Sequence, residues 1–274
     1  MSSKLIGRRQ ITMGATAGVA TLALPSLVRA QDQTIKVGTI FPLSGPAGPN
    51  GQAVTHAVKI AADMINAKGG VLGRKIVLVS KDDESTPAVG VTRANEMVAE
   101  KVAVVIEGWN SPVTLAMQPV LARANVLDIT AVSKADPILA GQANPYAVRI
   151  NSSNGQDGLV IADILLNKLK AKRIGFLTQN DAYGNGAQAV IEAEMTKLGK
   201  PWEKVVTEQF PFKQTDFRVS LANVKQAKPD AVVAINAAES SGMPALIQQY
   251  RQAGIEGTLV GAVGTILPTV FRIA

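Results

Sequence analysis

Residues 35–65 read IKVGTIFPLSGPAGPNGQAVTHAVKIAADMI, and the rest of the chain is organised around them. Ile35, Val37, Ile40 and Phe41 form a short apolar run rich in β-branched residues, the pattern of a strand covered on both faces. Residues 42–51 are rich in Gly and Pro and read as a loop. Val54, Ala57, Val58, Ala61, Ala62 and Ile65 then recur at helical spacing, which predicts a helix over 52–67. In an open α/β sheet, ligands sit outside the carboxyl ends of the strands. The loop 42–51 is therefore expected at the rim of a binding crevice.

The same strand–loop–helix unit repeats outward. Strands are predicted over 75–80, 102–106 and 127–131, with helices over 87–100 and 112–124 and an extended piece over 146–150. Asn151-Ser152-Ser153-Asn154-Gly155 is polar and marks a boundary. The alternation restarts beyond it. Strands are predicted over 173–177, 205–209, 231–235 and 258–261, and helices over 158–169, 183–198, 216–227 and 240–253. Two such runs predict an α/β fold of two doubly wound lobes joined by a hinge, the first over 31–151 and the second over 152–274.

The first thirty residues read as a cleaved export signal. Lys4, Arg8 and Arg9 precede an apolar run over 11–24, Pro25 breaks it, and Val28-Arg29-Ala30 resembles a small-residue cleavage site. The adjacent arginines point to the twin-arginine route. These thirty residues hold four of the 28 basic side chains and none of the 21 acids, so the remainder carries only +3. No basic stripe with interleaved aromatics is present, and nucleic acid is not an expected partner.

The chain has no Cys, which excludes disulfides, thiolate metal sites, Cys nucleophiles and a lipid anchor on Cys. Its one His, His56, falls within the first predicted helix, so a His-based metal site is excluded and a Ser-His-Asp triad would have to use that residue. The run Lys81-Asp82-Asp83-Glu84 reads as a solvated strand end favouring the next helix dipole, against the alternative of a Mg²⁺ site. Neither G-x-G-x-x-G nor a Walker loop occurs, and no cofactor is expected.

The loops are suited to a small polar ligand. Asn110-Ser111 immediately precedes Pro112 at a helix N-terminus, where free N–H groups and the dipole favour a carboxylate. The alternative is that one of the two side chains simply caps the helix. Trp109, partly exposed, is expected to wall the ligand, and Tyr183 to close over it from the second lobe.

The chain resembles the periplasmic substrate-binding proteins of branched-chain amino acid type ABC transporters, which have the type I periplasmic binding fold. The resemblance is carried by Ile40-Phe41-Pro42-Leu43-Ser44-Gly45, Asp82-Asp83-Glu84-Ser85-Thr86-Pro87, Asp181-Ala182-Tyr183-Gly184-Asn185-Gly186, Thr215-Asp216-Phe217, Lys228-Pro229-Asp230-Ala231-Val232 and residues 243–254. It implies a soluble, monomeric periplasmic protein that closes two lobes on a small-molecule ligand and delivers it to membrane permease subunits, with no chemistry of its own. It also implies that Asn110 and Ser111 hold the ligand carboxylate, that the loop from Ser133 to Ala135 contacts carboxylate and ammonium, and that Tyr183 covers the ligand. Relatives that bind α-amino acids place a Glu where this chain has Val263. Either Glu239 replaces it from the neighbouring loop, or the ligand lacks an ammonium and is a small carboxylate or amide, with Trp109 suited to an aromatic one. Family members also continue past residue 274, so a fragment or truncated product with marginal folding is expected. A sensing role on the same fold, or an exported hydrolase using His56, are the competing readings.

Overall fold

The computed structural model describes residues 34–140 and 144–262. The predicted export signal and Val263 lie outside the described residues.

Five parallel strands make the first sheet: β1 (Thr34–Phe41), β2 (Lys75–Asp82), β3 (Val104–Glu107), β4 (Leu127–Thr130) and β5 (Ala147–Arg149), in the order β2-β1-β3-β4-β5. The helices α1 (Gly48–Ala67), α2 (Pro87–Ala99) and α3 (Ser111–Arg123) make the crossovers. Ile40 and Val105 from the sheet pack with Met97 of α2 and Val113, Met117 and Leu121 of α3 in one dry core.

The second sheet is also parallel. It contains β6 (Arg173–Gln179), β7 (Glu203–Phe210), β8 (Ala231–Ile235) and β9 (Thr258–Gly261), in the order β7-β6-β8-β9. The helices α4 (Asn154–Asp163, continued by a π-turn over Ile164–Lys168), α5 (Ala182–Lys197), α6 (Arg218–Ala227) and α7 (Gly242–Ala253) cover it. Alternate residues of β8 feed opposite cores: Val233 packs with Leu165, Phe176, Ile191 and Met195, and Val232 with Phe210, Phe217, Leu221 and Leu246. Every residue of β8 is buried, as its unbroken AVVAI run requires. Two doubly wound lobes are therefore present.

Most boundaries fall within two residues of expectation, and two helix starts differ by four. Helix α1 begins at Gly48, four residues before the predicted start, because Pro49 is tolerated in a first turn, where its missing N–H has no intrahelical partner to lose. Helix α4 begins at Asn154, inside the stretch read as boundary. Ser153 and Gln156 form a reciprocal capping box there, with the Ser153 N–H donating to Gln156 Oε1 at 2.9 Å. The apolar stripe of α1 also differs: Ala62 is buried and Val54 and Val58 are half-buried, but Ala57, Ala61 and Ile65 are exposed among the described residues.

Phe176→Ala, which empties a fully buried site, is expected to cost about 3–5 kcal/mol. Ile60→Ala on α1, where Ile60 is 47% exposed, is expected to cost less than about 0.5 kcal/mol. Urea unfolding of the two variants measures the contrast, and equal costs would contradict the packing described here.

Candidate functional site

In each sheet, two neighbouring strands run their crossovers to opposite faces, and the crevice opens at their carboxyl ends. In the first sheet these are β1 and β3, in the second β6 and β8. The connections after those four strands carry, in the loop or in the first turn of the helix that follows it, Asn50, Trp109 to Ser111, Tyr183 and Glu239, and the loop after β4 carries Ser133 to Ala135. All seven residues predicted for the site fall in these connections, and all seven are buried.

Asn110 occupies the N-cap of α3 and Ser111 its first turn, but neither side chain caps the helix. Asn110 Oδ1 is buried and has no partner. Ser111 Oγ instead accepts from the Lys134 and Ala135 N–H groups, each at 3.2 Å. The loop after β4 is thus pulled against the start of α3, and two of its N–H groups converge on one oxygen. The capping alternative is not what these side chains do.

That loop is held from below and behind. Arg149 Nη2 donates to Ala135 O at 2.6 Å, Asn151 Nδ2 to Val132 O at 2.7 Å, and the Asn154 N–H to Lys134 O at 2.8 Å. Lys134 reaches across to α4 and pairs with Asp157 at 2.6 Å, with both side chains largely shielded.

The lobes touch directly. Trp109 Nε1 donates to Ala237 O at 3.4 Å, Asn50 Nδ2 donates to Glu239 Oε2 at 3.3 Å, and Ser240 Oγ donates to Asn50 Oδ1 at 3.1 Å. Trp109 is therefore buried rather than partly exposed as expected, because the loop after β8 covers it. Tyr183 sits in the first turn of α5. Asp181 caps that turn by accepting the Gly184 N–H at 3.0 Å. A Cβ at Gly184 would lie 1.9 Å from Gln179 O, so only glycine lets α5 start this close to β6 and bring Tyr183 to the cleft.

Burial dominates the electrostatics. It raises Glu239 to about 8, against which the Asn50 amide acts only weakly. It raises Asp83 to about 6 and Asp128 to about 7. Burial first, then the charges of Glu239, Asp157 and Asp181, keep the Tyr183 hydroxyl protonated.

His56 is exposed on α1, in a groove with Lys59, Asp63 and Ile76, and not with the cleft serines. Among the described residues no cluster of three or more His, Asp or Glu side chains is arranged to hold a metal. Asn50, Lys134 and Asp157 were not singled out from the sequence. Asn50 lay in the loop read as the crevice rim, but nothing marked it apart from its neighbours.

A family profile described as periplasmic binding protein matches residues 34–270. The chain belongs to the periplasmic binding protein family. It is 31% identical to the Leu/Ile/Val-binding protein BraC3 of Rhizobium johnstonii over 90% of this chain and 65% of that one. The branched-chain amino acid substrate-binding protein LivJ of Streptococcus pneumoniae, solved with isoleucine, superposes with a TM-score of 0.77 at 27% identity, covering 88% of this chain and 67% of its own. A solute-binding protein from R. palustris, solved with benzoate, superposes with a TM-score of 0.78 at 26% identity, covering 88% of this chain and 65% of its own. The chain thus spans about two thirds of the length of these family members. Among the described residues no helix is long and apolar enough to cross a membrane.

The raised carboxyls have a consequence for stability. A carboxyl whose folded pKa exceeds its unfolded value stabilises fully below the unfolded value, and that stabilisation is lost as pH rises through the folded one. Asp83, Asp128 and Glu239 should therefore make the melting temperature fall between about pH 5 and about pH 8. Asp128→Asn should flatten the fall near neutrality. Circular dichroism melts across that range test this, and a melting temperature that climbs with pH would contradict it.

Proposed function

We propose that this chain is the ligand-capturing part of an exported, periplasmic solute-binding protein, and that the ligand is a small carboxylate-bearing solute closed between lobes that divide at residue 151. The carrying observation is the convergence at the start of α3. The helix N-terminus there has no side-chain cap, and the Ser111 hydroxyl, fixed in place by accepting the Lys134 and Ala135 N–H groups, keeps its own hydrogen to donate. Donors grouped at the positive end of a helix suit a carboxylate. Trp109, Tyr183 and Glu239 would complete the pocket. Delivery to an ABC permease, with no chemistry by this chain, is part of the proposal and is supported by family membership.

Glu239 bears on the ligand's other end. Buried and raised to about 8 even with the Asn50 amide donating to it, it is neutral at neutral pH until a cation meets it. A ligand ammonium would ionise it and release a proton. A ligand without one, such as benzoate, would leave it neutral. The names of the relatives span both classes, since BraC3 is a Leu/Ile/Val-binding protein and the R. palustris protein was solved with benzoate.

Titration calorimetry with leucine, benzoate and acetamide tests the reading. At least one carboxylate should bind, and Ser111→Ala should weaken it by roughly tenfold through loss of a hydrogen bond to a charged group. If leucine is the ligand, binding should release close to one proton, seen as a buffer-dependent heat. Glu239→Gln should abolish that release. A folded protein that binds acetamide but neither carboxylate would overturn the carboxylate reading.

A further inference from the structure

Beneath Ser133 runs a hydrogen-bonded chain that ends in two buried acids. Glu107 closes β3 and Asp128 lies in β4, and both are buried. In the parallel register Val105 lies opposite Asp128 and Glu107 opposite Thr130, so both acids project from the same face of the sheet. Thr114 of α3 joins them to the site. Its Oγ1 lies 2.6 Å from Glu107 Oε2 and 2.8 Å from Ser133 Oγ.

A threonine hydroxyl has one hydrogen to give. With Glu107 Oε2 bare, Thr114 donates to it and must accept from Ser133, so Ser133 offers other groups only lone pairs. With a proton on Oε2 the chain reverses. Glu107 donates to Thr114, Thr114 donates to Ser133, and the Ser133 hydrogen is released for another acceptor. We propose that Glu107 is a positioning residue which, as a neutral acid, turns the Thr114–Ser133 chain so that Ser133 presents a hydrogen-bond donor to the bound carboxylate. The inference rests on the solute-binding reading above.

Two observations support the neutral acid. Glu107 Oε1 and both Asp128 oxygens are buried and accept no hydrogen bond of ordinary geometry, with only the neutral side chains of Gln118, Asn144 and Thr130 beside the two acids, a setting that two adjacent ionised carboxylates could not sustain. Burial, then the neighbouring Asp128, hold Glu107 well above the ordinary carboxylate range. The chain also has little room to rearrange. A Cβ at Gly108, whose φ is +99°, would lie 2.2 Å from Thr130 Oγ1 and 3.1 Å from Ser133 Oγ. The charged groups acting on Glu107 are Asp128 from β4, Asp83 from the loop after β2, and Arg149 from β5, which also feels Asp136. Asp128 and Asp83 oppose ionisation of Glu107, and Arg149 favours it.

The sign follows. Rising pH removes the Glu107 proton, draws the Ser133 hydrogen inward and weakens carboxylate binding. The test is calorimetric titration of the whole chain with benzoate and leucine as probes, from mildly acidic to alkaline pH. It compares the wild type with Glu107→Gln, Thr114→Val and Thr114→Ser. Wild-type affinity for a bound carboxylate should fall with pH about tenfold more than that of Glu107→Gln. The Gln amide nitrogen replaces the acid O–H as a permanent donor, so only the slope contributed by Glu239 should remain. Thr114→Val should bind about tenfold more weakly at neutral pH, and Thr114→Ser, which keeps the hydroxyl, should restore binding. If Thr114→Val does not fold, the Glu107→Gln slope decides alone. Carboxylate binding with equal slopes in wild type and Glu107→Gln would overturn the relay and leave the solute-binding reading standing. No binding of either probe by folded wild type would overturn both.

Discussion

Parallel pairing is the constraint on which this structure depends. Parallel strands cannot be joined by hairpins, so each must be followed by a crossover, here a helix in most cases. All loops at the carboxyl ends of a sheet then open on the same side. In each sheet the strand that enters first, β1 or β6, has neighbours on both sides, so its crossovers diverge. The crevice made by that divergence is where Asn50 and Trp109 to Ser111 meet Tyr183 and Glu239. Site geometry is thus a consequence of strand order, and the loops need only supply suitable side chains.

What those loops supply is polar and buried, and burial of polar atoms must be answered by partners or by neutralisation. Both answers are used. The Asn50 amide bonds Glu239 and Ser240 across the cleft, and Ser111 takes two backbone N–H groups. Lys134 and Asp157 neutralise each other in a shielded pair that ties a site loop to the first helix of the second lobe. The carboxyls without an opposite charge beside them are pushed toward the protonated form instead, as at Glu107, Asp128 and Glu239. Asp128 and Glu239 therefore titrate near neutral pH, at about 7 and about 8, and their proton occupancy becomes part of the candidate site.

Much of the fold was legible along the chain. The strands over 231–235 and 258–261 were read to the residue, because each is a short run containing β-branched residues set off by turn residues, Pro229-Asp230 and Asn236 around the first and Gly257 before the second. The start of α2 at Pro87, and that of α3 one residue before Pro112, were readable from proline chemistry, and the placement of Trp109 to Ser111, Ser133, Tyr183 and Glu239 after the carboxyl ends of strands from the alternation of elements. The start of α1 was missed because Gly48 and Pro49 read as loop residues out of context, yet one is tolerated at a helix start and the other favoured there. Helix α4 was placed too late because its capping box looked like a polar linker. Glu107 and Asp128 did carry a signal, each an acid set in an apolar strand, but an acid at a strand end also reads as solvated until its neighbours are known.

From the residues alone come the two α/β runs, the connections that carry the candidate site and the exclusion of thiol and histidine-based metal chemistry, because periodicity and residue type are local properties. Only the tertiary structure decided which atoms meet: that Trp109 is covered by the loop after β8, that Asn50 spans to Glu239, that Ser111 serves the loop after β4 and not its own helix, and that Thr114 links Ser133 to a buried acid pair. Those contacts join residues far apart in the chain. They depend on strand order and on closure of one lobe against the other, and neither leaves a periodic trace in the residues that make the contact.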